Sequence, residues 1–296
     1  MTGPTPRFGR VLTAMVTPFD EQGDLDLDAA ATLAAWLVDN GSDGLVIAGT
    51  TGESPVLSDS EEVALTKAVR AAVSVPVLLG TGSNDTAYAV DATRRAAQLG
   101  VEGVLVVSPY YNRPSQAGLD QYFRSVAAAT DLPVVIYDIP VRTGRKVSTD
   151  TLLGLAHDVD NVVALKDAAG DPAETATFLR DAPTGFEVYS GDDALTLPLL
   201  AVGAVGAISV ASHWIGRQIG EMIAAFAAGD VGRAAHINGT LVESYAYETG
   251  DAAPNPIPTK CMLRVLGLNV GSCRSPLGPE PDWLEAQART VLDRLV

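Results

Sequence analysis

The chain has 296 residues, 47% of them apolar and 19% charged, with a formal net charge of −16. That composition supplies a sizeable core and argues against disorder. So acidic a chain, with no basic stripe or arginine-rich tail, argues against nucleic acid and anionic lipid as partners.

Cys261 and Cys273 are the only cysteines, too few for a disulfide framework, and read as reduced thiols of a cytoplasmic protein. The opening stretch "MTGPTPRFGRVLTAMVTPFD" has early prolines and glycines and no long apolar core, so it does not read as a signal peptide. The most apolar window, "LPLLAVGAVGAISVA" (197–211), is broken by Pro198, Gly203 and Gly206. It is also short of the roughly 20 residues of a membrane span, so no membrane association is expected.

In chain order, short β-branched runs alternate with alanine-rich helical stretches. "VLTAMVTPF" (11–19) reads as the first strand, and "DLDAAATLAAWLVDNG" as a helix with Leu33 and Leu37 on one face and Gly41 as its stop. "GLVIAG" (44–49) is followed by a helix from Ser58, where Glu61 completes a capping box. "VPVLLGTG" (75–82) precedes a helix ending at Gly100, and "GVLVVSP" (103–109) one over 116–130. "LPVVIYDIP" (132–140) leads to a helix near 149–157, and "NVVALKDA" (161–168) to one over 172–181. "FEVYSGD" (186–192) leads to 194–202, and "GAISVAS" (206–212) to 214–228.

These are eight strand–helix units whose strands are apolar throughout, as in a parallel sheet covered by helices. Eight units at this spacing predict an α/β fold of the closed (β/α)8 TIM-barrel type over residues 1–229. The strand signals then cease, and residues 230–296 read as a C-terminal helical appendage. No GxGxxG follows the first strand and no GxxxxGK[ST] occurs, so the nucleotide-binding alternatives lack their fingerprints.

In such a barrel, chemistry gathers at the C-terminal ends of the strands. There the chain places Thr50, Thr51 and Glu53 of "GTTGES", Tyr110 and Tyr111 of "SPYYNRP", Tyr137 and Arg142, Lys166, "SGDD" (190–193), and Ile208 with Ser209. Taken singly, most have a plain structural reading. "GTTGES" suits an ordinary strand-to-helix turn, the tyrosines suit a half-wet rim, and Arg142 suits a surface ion pair. Their recurrence over six strands is what points to a site.

Lys166 resists the plain reading. It is one of four lysines and stands within an apolar strand, where an ammonium is costly to desolvate. Asp167, next in the strand, points to the opposite face and cannot neutralise it. Partial desolvation favours a free amine able to attack a carbonyl and form a Schiff base. Tyr137, one strand away, suits the proton transfers this requires, with Thr50 and a tyrosine at the mouth as relays. Backbone N–H groups of the "TT" turn suit a carboxylate.

Metal-assisted chemistry is the rival route. His157, His213 and His236 are scattered without ligand spacing, so no metal or other cofactor is expected. No GxSxG nucleophile elbow occurs either.

"GTTGES", "SPYYNRPSQAGL", "YDIPVRTG", "ALKDAAG", "YSGDD", "GAISV" and "PNPIPTK" resemble the dihydrodipicolinate synthase family of pyruvate-dependent class I aldolases, from about Gly9 to Gly267. The resemblance implies a (β/α)8 barrel with a helical C-terminal domain, assembled as a homotetramer of two tight dimers. It implies Lys166 as the Schiff-base residue and Tyr137 as proton donor and acceptor. Thr50 and Tyr111 would complete the relay, with Tyr111 reaching across the tight-dimer interface. Thr51 and the Ile208 backbone match pyruvate-binding positions. Arg142 matches the arginine that grips the carboxylate of the aldehyde substrate.

The sugar-acid lyases of the superfamily, such as N-acetylneuraminate lyase, typically lack this arginine and the full "PYYNRP". The implied substrates are therefore pyruvate and L-aspartate-4-semialdehyde, in lysine and diaminopimelate biosynthesis. The alternatives are a 2-keto-3-deoxy sugar acid aldolase and, in another class, a non-catalytic keto-acid sensor. Asp138 stands where the family more often has asparagine, and Asp167 where it often has glutamate. Asp59, Glu62 and Tyr88 replace residues of the lysine-inhibition site of lysine-sensitive members, although Asn84 and Tyr110 remain, so weak or absent feedback by lysine is expected.

Overall fold

The structure is a computed structural model and describes residues 5–295; the first four residues of the opening stretch "MTGPTPRFGRVLTAMVTPFD" lie outside it. Eight parallel strands follow one another as a closed barrel. They are β1 (Val11–Ala14), β2 (Gly44–Ile47), β3 (Val77–Gly80), β4 (Gly103–Val107), β5 (Val134–Asp138), β6 (Val162–Asp167), β7 (Glu187–Ser190) and β8 (Gly206–Ser209). Nearly every strand residue is buried, as strands covered on both faces must be.

The helices of the eight units are α1 (Leu27–Asp39), α2 (Asp59–Ala72), α3 (Thr86–Ala96), α4 (Gln116–Ala127), α5 (Pro140–Thr143), α6 (Thr149–Asp158), α7 (Pro172–Asp181), α8 (Thr196–Val202) and α9 (Ser212–Ala227). Most begin at a side-chain cap that satisfies an otherwise orphaned N–H. Asp26 accepts from Ala29 N, Asp85 from Ala87 N and Ser115 from Gly118 N. Both halves of the Ser58–Glu61 capping box form. In α1 the buried residues Ala30, Leu33, Ala34 and Leu37 make one stripe, which seats the helix.

Two local features differ from the sequence expectation. The first strand stops at Ala14, not Phe19. Val16 N donates to His213 Nε2 instead of a neighbouring strand, Thr17 Oγ1 donates to the Gly52 carbonyl, and Pro18 has no N–H to give. Because Nε2 accepts, His213 carries its proton on Nδ1, which donates to the Val210 carbonyl at 2.7 Å. Between β5 and α6 lies the extra turn α5, led by Pro140 and closed by Gly144 at φ +72°. Four residues are too few for a helical period to show in the sequence.

The chain divides into two compact units, one up to Pro76 together with Ser209 onward, the other Val77–Ile208. The first includes α10 (Val231–Tyr247), α11 (Ile257–Val265) and α12 (Leu284–Asp293). Tyr247, Ile257, Cys261, Met262, Leu284, Ala288 and Val291 form their shared apolar core. Among the described residues no helix is long and apolar enough to cross a membrane.

Candidate active site

Within the Val77–Ile208 unit, β5 and β6 pair with Tyr137 opposite Lys166 and Asp138 opposite Asp167. Successive strand residues point to opposite faces. Asp138 and Asp167 line a small cavity with Thr149 and Leu152 of α6 and Glu174, Thr175 and Phe178 of α7, so they face the helices. Tyr137 and Lys166 therefore face the barrel interior. Each is only 4% exposed, and the Lys166 ammonium nitrogen lies 4.2 Å from the centroid of the Tyr137 ring.

Gly191, just beyond β7, shapes the lysine from the side. A Cβ there would stand 3.0 Å from Lys166 Cγ and 3.1 Å from Cε, closer than ordinary contact. The bare glycine lets the stem of Lys166 pass. In the β7–β8 register Tyr189 faces Gly206, which puts Ile208, two residues on, on the same inner face. Ile208 is buried at the end of β8.

Tyr111 and Arg142 are different in kind. Arg142 is exposed on the single turn of α5. Tyr111 is 88% exposed and left-handed at φ +72°. A left-handed tyrosine costs energy, and such residues cluster where function over-determines the backbone. Nearby, Asn112 Nδ2 donates to the Asn84 carbonyl and Arg113 Nε to the Gly144 carbonyl, which braces the loop.

The first unit carries the "GTTGES" turn. Thr50 is partly exposed, whereas Thr51 is buried and accepts a hydrogen bond from Asn255 Nδ2 at 2.9 Å. Glu53, left-handed at φ +58°, turns inward instead of lining the mouth. Its Oε1 is 2.7 Å from Lys260 Nζ, and its Oε2 accepts from Arg274 N at 2.8 Å. Lys260 also donates to the Ser272 carbonyl at 3.0 Å and lies 4.2 Å from the Phe19 ring centroid. Burial lowers the pKa of this lysine while Glu53 pushes it back up.

The structure thus joins Lys166, Tyr137 and the inner face of Ile208 in one unit and seats Thr50 and Thr51 in the other. Sequence reasoning missed two supports, Asn255 on Thr51 and Lys260 on Glu53. The signal lies in "PNPIPTK", where a lysine and an asparagine in an apolar, proline-rich run call for buried polar partners. Among the described residues no three His, Cys, Asp or Glu side chains gather as a metal site would require.

The profile of the dihydrodipicolinate synthetase family matches residues 7–294. A 4-hydroxy-tetrahydrodipicolinate synthase of Moorella thermoacetica is 51% identical over 273 residues, 92% of each chain. The crystal structure of a dihydrodipicolinate synthase from Bacillus anthracis superimposes with a TM-score of 0.93 at 44% identity, covering 98% of this chain and 99% of that one. A Cyanidioschyzon merolae structure of the enzyme with lysine bound gives 0.95 at 43% identity, covering 99% and 100%. The chain belongs to the dihydrodipicolinate synthetase family.

Proposed function

We propose that this chain is a lyase that condenses pyruvate with L-aspartate-4-semialdehyde to 4-hydroxy-tetrahydrodipicolinate, the branch-point step towards diaminopimelate and lysine. The observation that carries this reading is the buried, inward-facing pair of Lys166 and Tyr137, in a chain of this family. The Lys166 amine attacks the keto carbon of pyruvate, and the carbinolamine loses water to give an iminium. The iminium accepts the electrons left when the methyl carbon gives up a proton. The resulting enamine attacks the aldehyde carbon and forms the new carbon–carbon bond. The acceptor's amino group then closes on the iminium carbon and frees the lysine.

Every step moves a proton, and Tyr137 is proposed as the group that takes and returns it. Thr50 and Tyr111 are proposed as the rest of the relay. Thr51 and the Ile208 backbone hold pyruvate, and Arg142 grips the acceptor's carboxylate through its two-pronged guanidinium. No cofactor is required, because the iminium itself is the electron sink. Neither a sugar-acid aldolase nor a sensor reading is favoured by any observation on this chain.

Several organisational features belong to the same proposal. Residues 1–229 act as the catalytic barrel and 230–296 as its helical appendage, in a cytoplasmic homotetramer. Tyr111 and Val141, 88% and 86% exposed, are the side chains a second copy would cover, and sedimentation giving a monomer would remove that part. Lysine inhibits weakly or not at all, and half-inhibition at submillimolar lysine would overturn this.

Borohydride reduction with pyruvate, followed by mass spectrometry, tests the central claim. A reduced pyruvate adduct is expected on the Lys166 peptide and is expected to vanish in Lys166→Ala. Tyr137→Phe should keep the fold and slow turnover by roughly 10²- to 10⁴-fold. A wild-type enzyme without adduct, or one that ignores aspartate semialdehyde in a coupled assay, would overturn the reading.

A further inference from the structure

Each of the two paired residues is followed in its strand by a buried aspartate, and the two aspartates meet on the outer face of the sheet. Asp138 Oδ1 accepts from Val147 N at 3.2 Å, and its Oδ2 lies 3.5 Å from Lys146 Nζ. The same ammonium is 3.1 Å from Glu174 Oε1 on α7 and donates to the Val147 carbonyl at 3.0 Å. Asp167 accepts from Thr175 Oγ1, also on α7, at 2.5 Å, and from Ala169 N at 2.9 Å. Both strand ends are thus fastened to one helix, β6 directly and β5 through Lys146.

The geometry has a consequence for the inner face. In a strand, fixing the side chain of one residue fixes the rotation of the backbone, and with it the direction of its neighbour on the other face. Asp138 and Asp167 are the immediate neighbours of Tyr137 and Lys166. We infer that Lys146, held between Asp138 and Glu174, is a positioning residue that sets the orientation of Tyr137 relative to Lys166 from the outside of the sheet. This rests on the Schiff-base reading above.

The electrostatics of the cluster agree with a role beyond packing. The charged groups facing Asp138 are Lys146, Asp167 across the strand pair, and Asp171 and Glu174 on the α7 side of the same cavity. Burial pushes the Asp138 carboxyl up to about 6, opposed by the Lys146 ammonium and the Val147 N–H and reinforced by Asp167. At neutral pH the group is ionised despite a net burial cost, and Lys146 limits that cost.

The test is pyruvate adduct formation on Lys166, quenched with borohydride over time, together with kcat and KM from pH 5 to 8.5 and the thermal midpoint. Lys146→Met is expected to fold, to form the adduct about ten-fold more slowly, and to lose kcat with little change in KM. Its acidic limb should move to higher pH, because the cation that favours ionised Asp138 is gone. Lys146→Arg should restore rate and profile, and in Asp138→Asn, which keeps an acceptor for Val147 N, the acidic limb should no longer respond to Lys146→Met. If Lys146→Met does not fold, Glu174→Gln loosens the same ammonium from α7 and is read by the same assay. A folded Lys146→Met with wild-type adduct rate and profile overturns the inference, as does a loss of thermal midpoint with no change in either. A wild-type enzyme that forms no adduct at all overturns the Schiff-base reading instead.

Discussion

Lys166 and Lys260 are both buried, at 4% and 1% exposure, and each holds its ammonium nitrogen 4.2 Å from the centroid of an aromatic ring. Burial and a ring face therefore do not distinguish them. The chemistry of the neighbours does. Lys260 meets the Glu53 carboxylate and the Ser272 carbonyl, which hold a charge in place. The ring beside Lys166 is that of Tyr137, a phenol that can exchange protons with a reaction intermediate. One buried lysine is fastened by a carboxylate, and the other is set beside the phenol proposed as its acid–base partner.

The sharpest way to break this comparison is to remove each amine. Lys166→Ala should abolish condensation, by on the order of 10⁴-fold or more, while the protein stays folded. Lys260→Met should do the reverse. It leaves Glu53 charged and buried, so denaturant unfolding should show a loss of about 3–5 kcal/mol, while the folded fraction still forms the pyruvate adduct. Adding Glu53→Gln should recover much of that stability. If Lys260→Met loses the adduct without losing stability, the two lysines are not distinct in role.

Smaller changes sharpen the contrast. Gly191→Ala introduces a Cβ 3.0 Å from Lys166 Cγ and from Ala168 Cβ, so the lysine stem must shift. Adduct formation should slow by about ten-fold, with about 1–3 kcal/mol of destabilisation from overpacking. The remaining contrast is in pH. The Asp138 pKa is raised in the fold from 3.8 to about 6, so the native state holds this proton more tightly and stability falls as pH rises through that window. Asp138→Asn should remove that fall, seen as a flatter dependence of the thermal midpoint between pH 4 and 7.

Most of the fold was legible in the sequence because its signals are local. Strands apolar on both faces, the Ser58–Glu61 box and the α1 stripe each follow from a backbone period and from hydrogen-bonding groups a few residues apart. The pairing of Tyr137 with Lys166 was legible too, since consecutive strands of a parallel barrel are neighbours. The extent of β1 was not, because the Val16 N–H beyond it is taken by His213 from far along the chain. Nor was the inward turn of Glu53, which the motif placed at the mouth and the ion pair with Lys260 draws into the interior.

By itself the sequence determined the order of the elements and the face on which each strand residue lies, for alternation is a property of the backbone alone. Only the tertiary structure decided which cation meets which carboxylate. Asn255 and Thr51 are 204 positions apart, and Lys146 reaches Glu174 only because α7 packs beside the entrance to α6. Such contacts depend on where the chain returns after each crossover, which no period within a single element encodes. That is why the aspartates following Tyr137 and Lys166 read as incidental in the sequence and as a bracket for the proposed reactive pair in the fold.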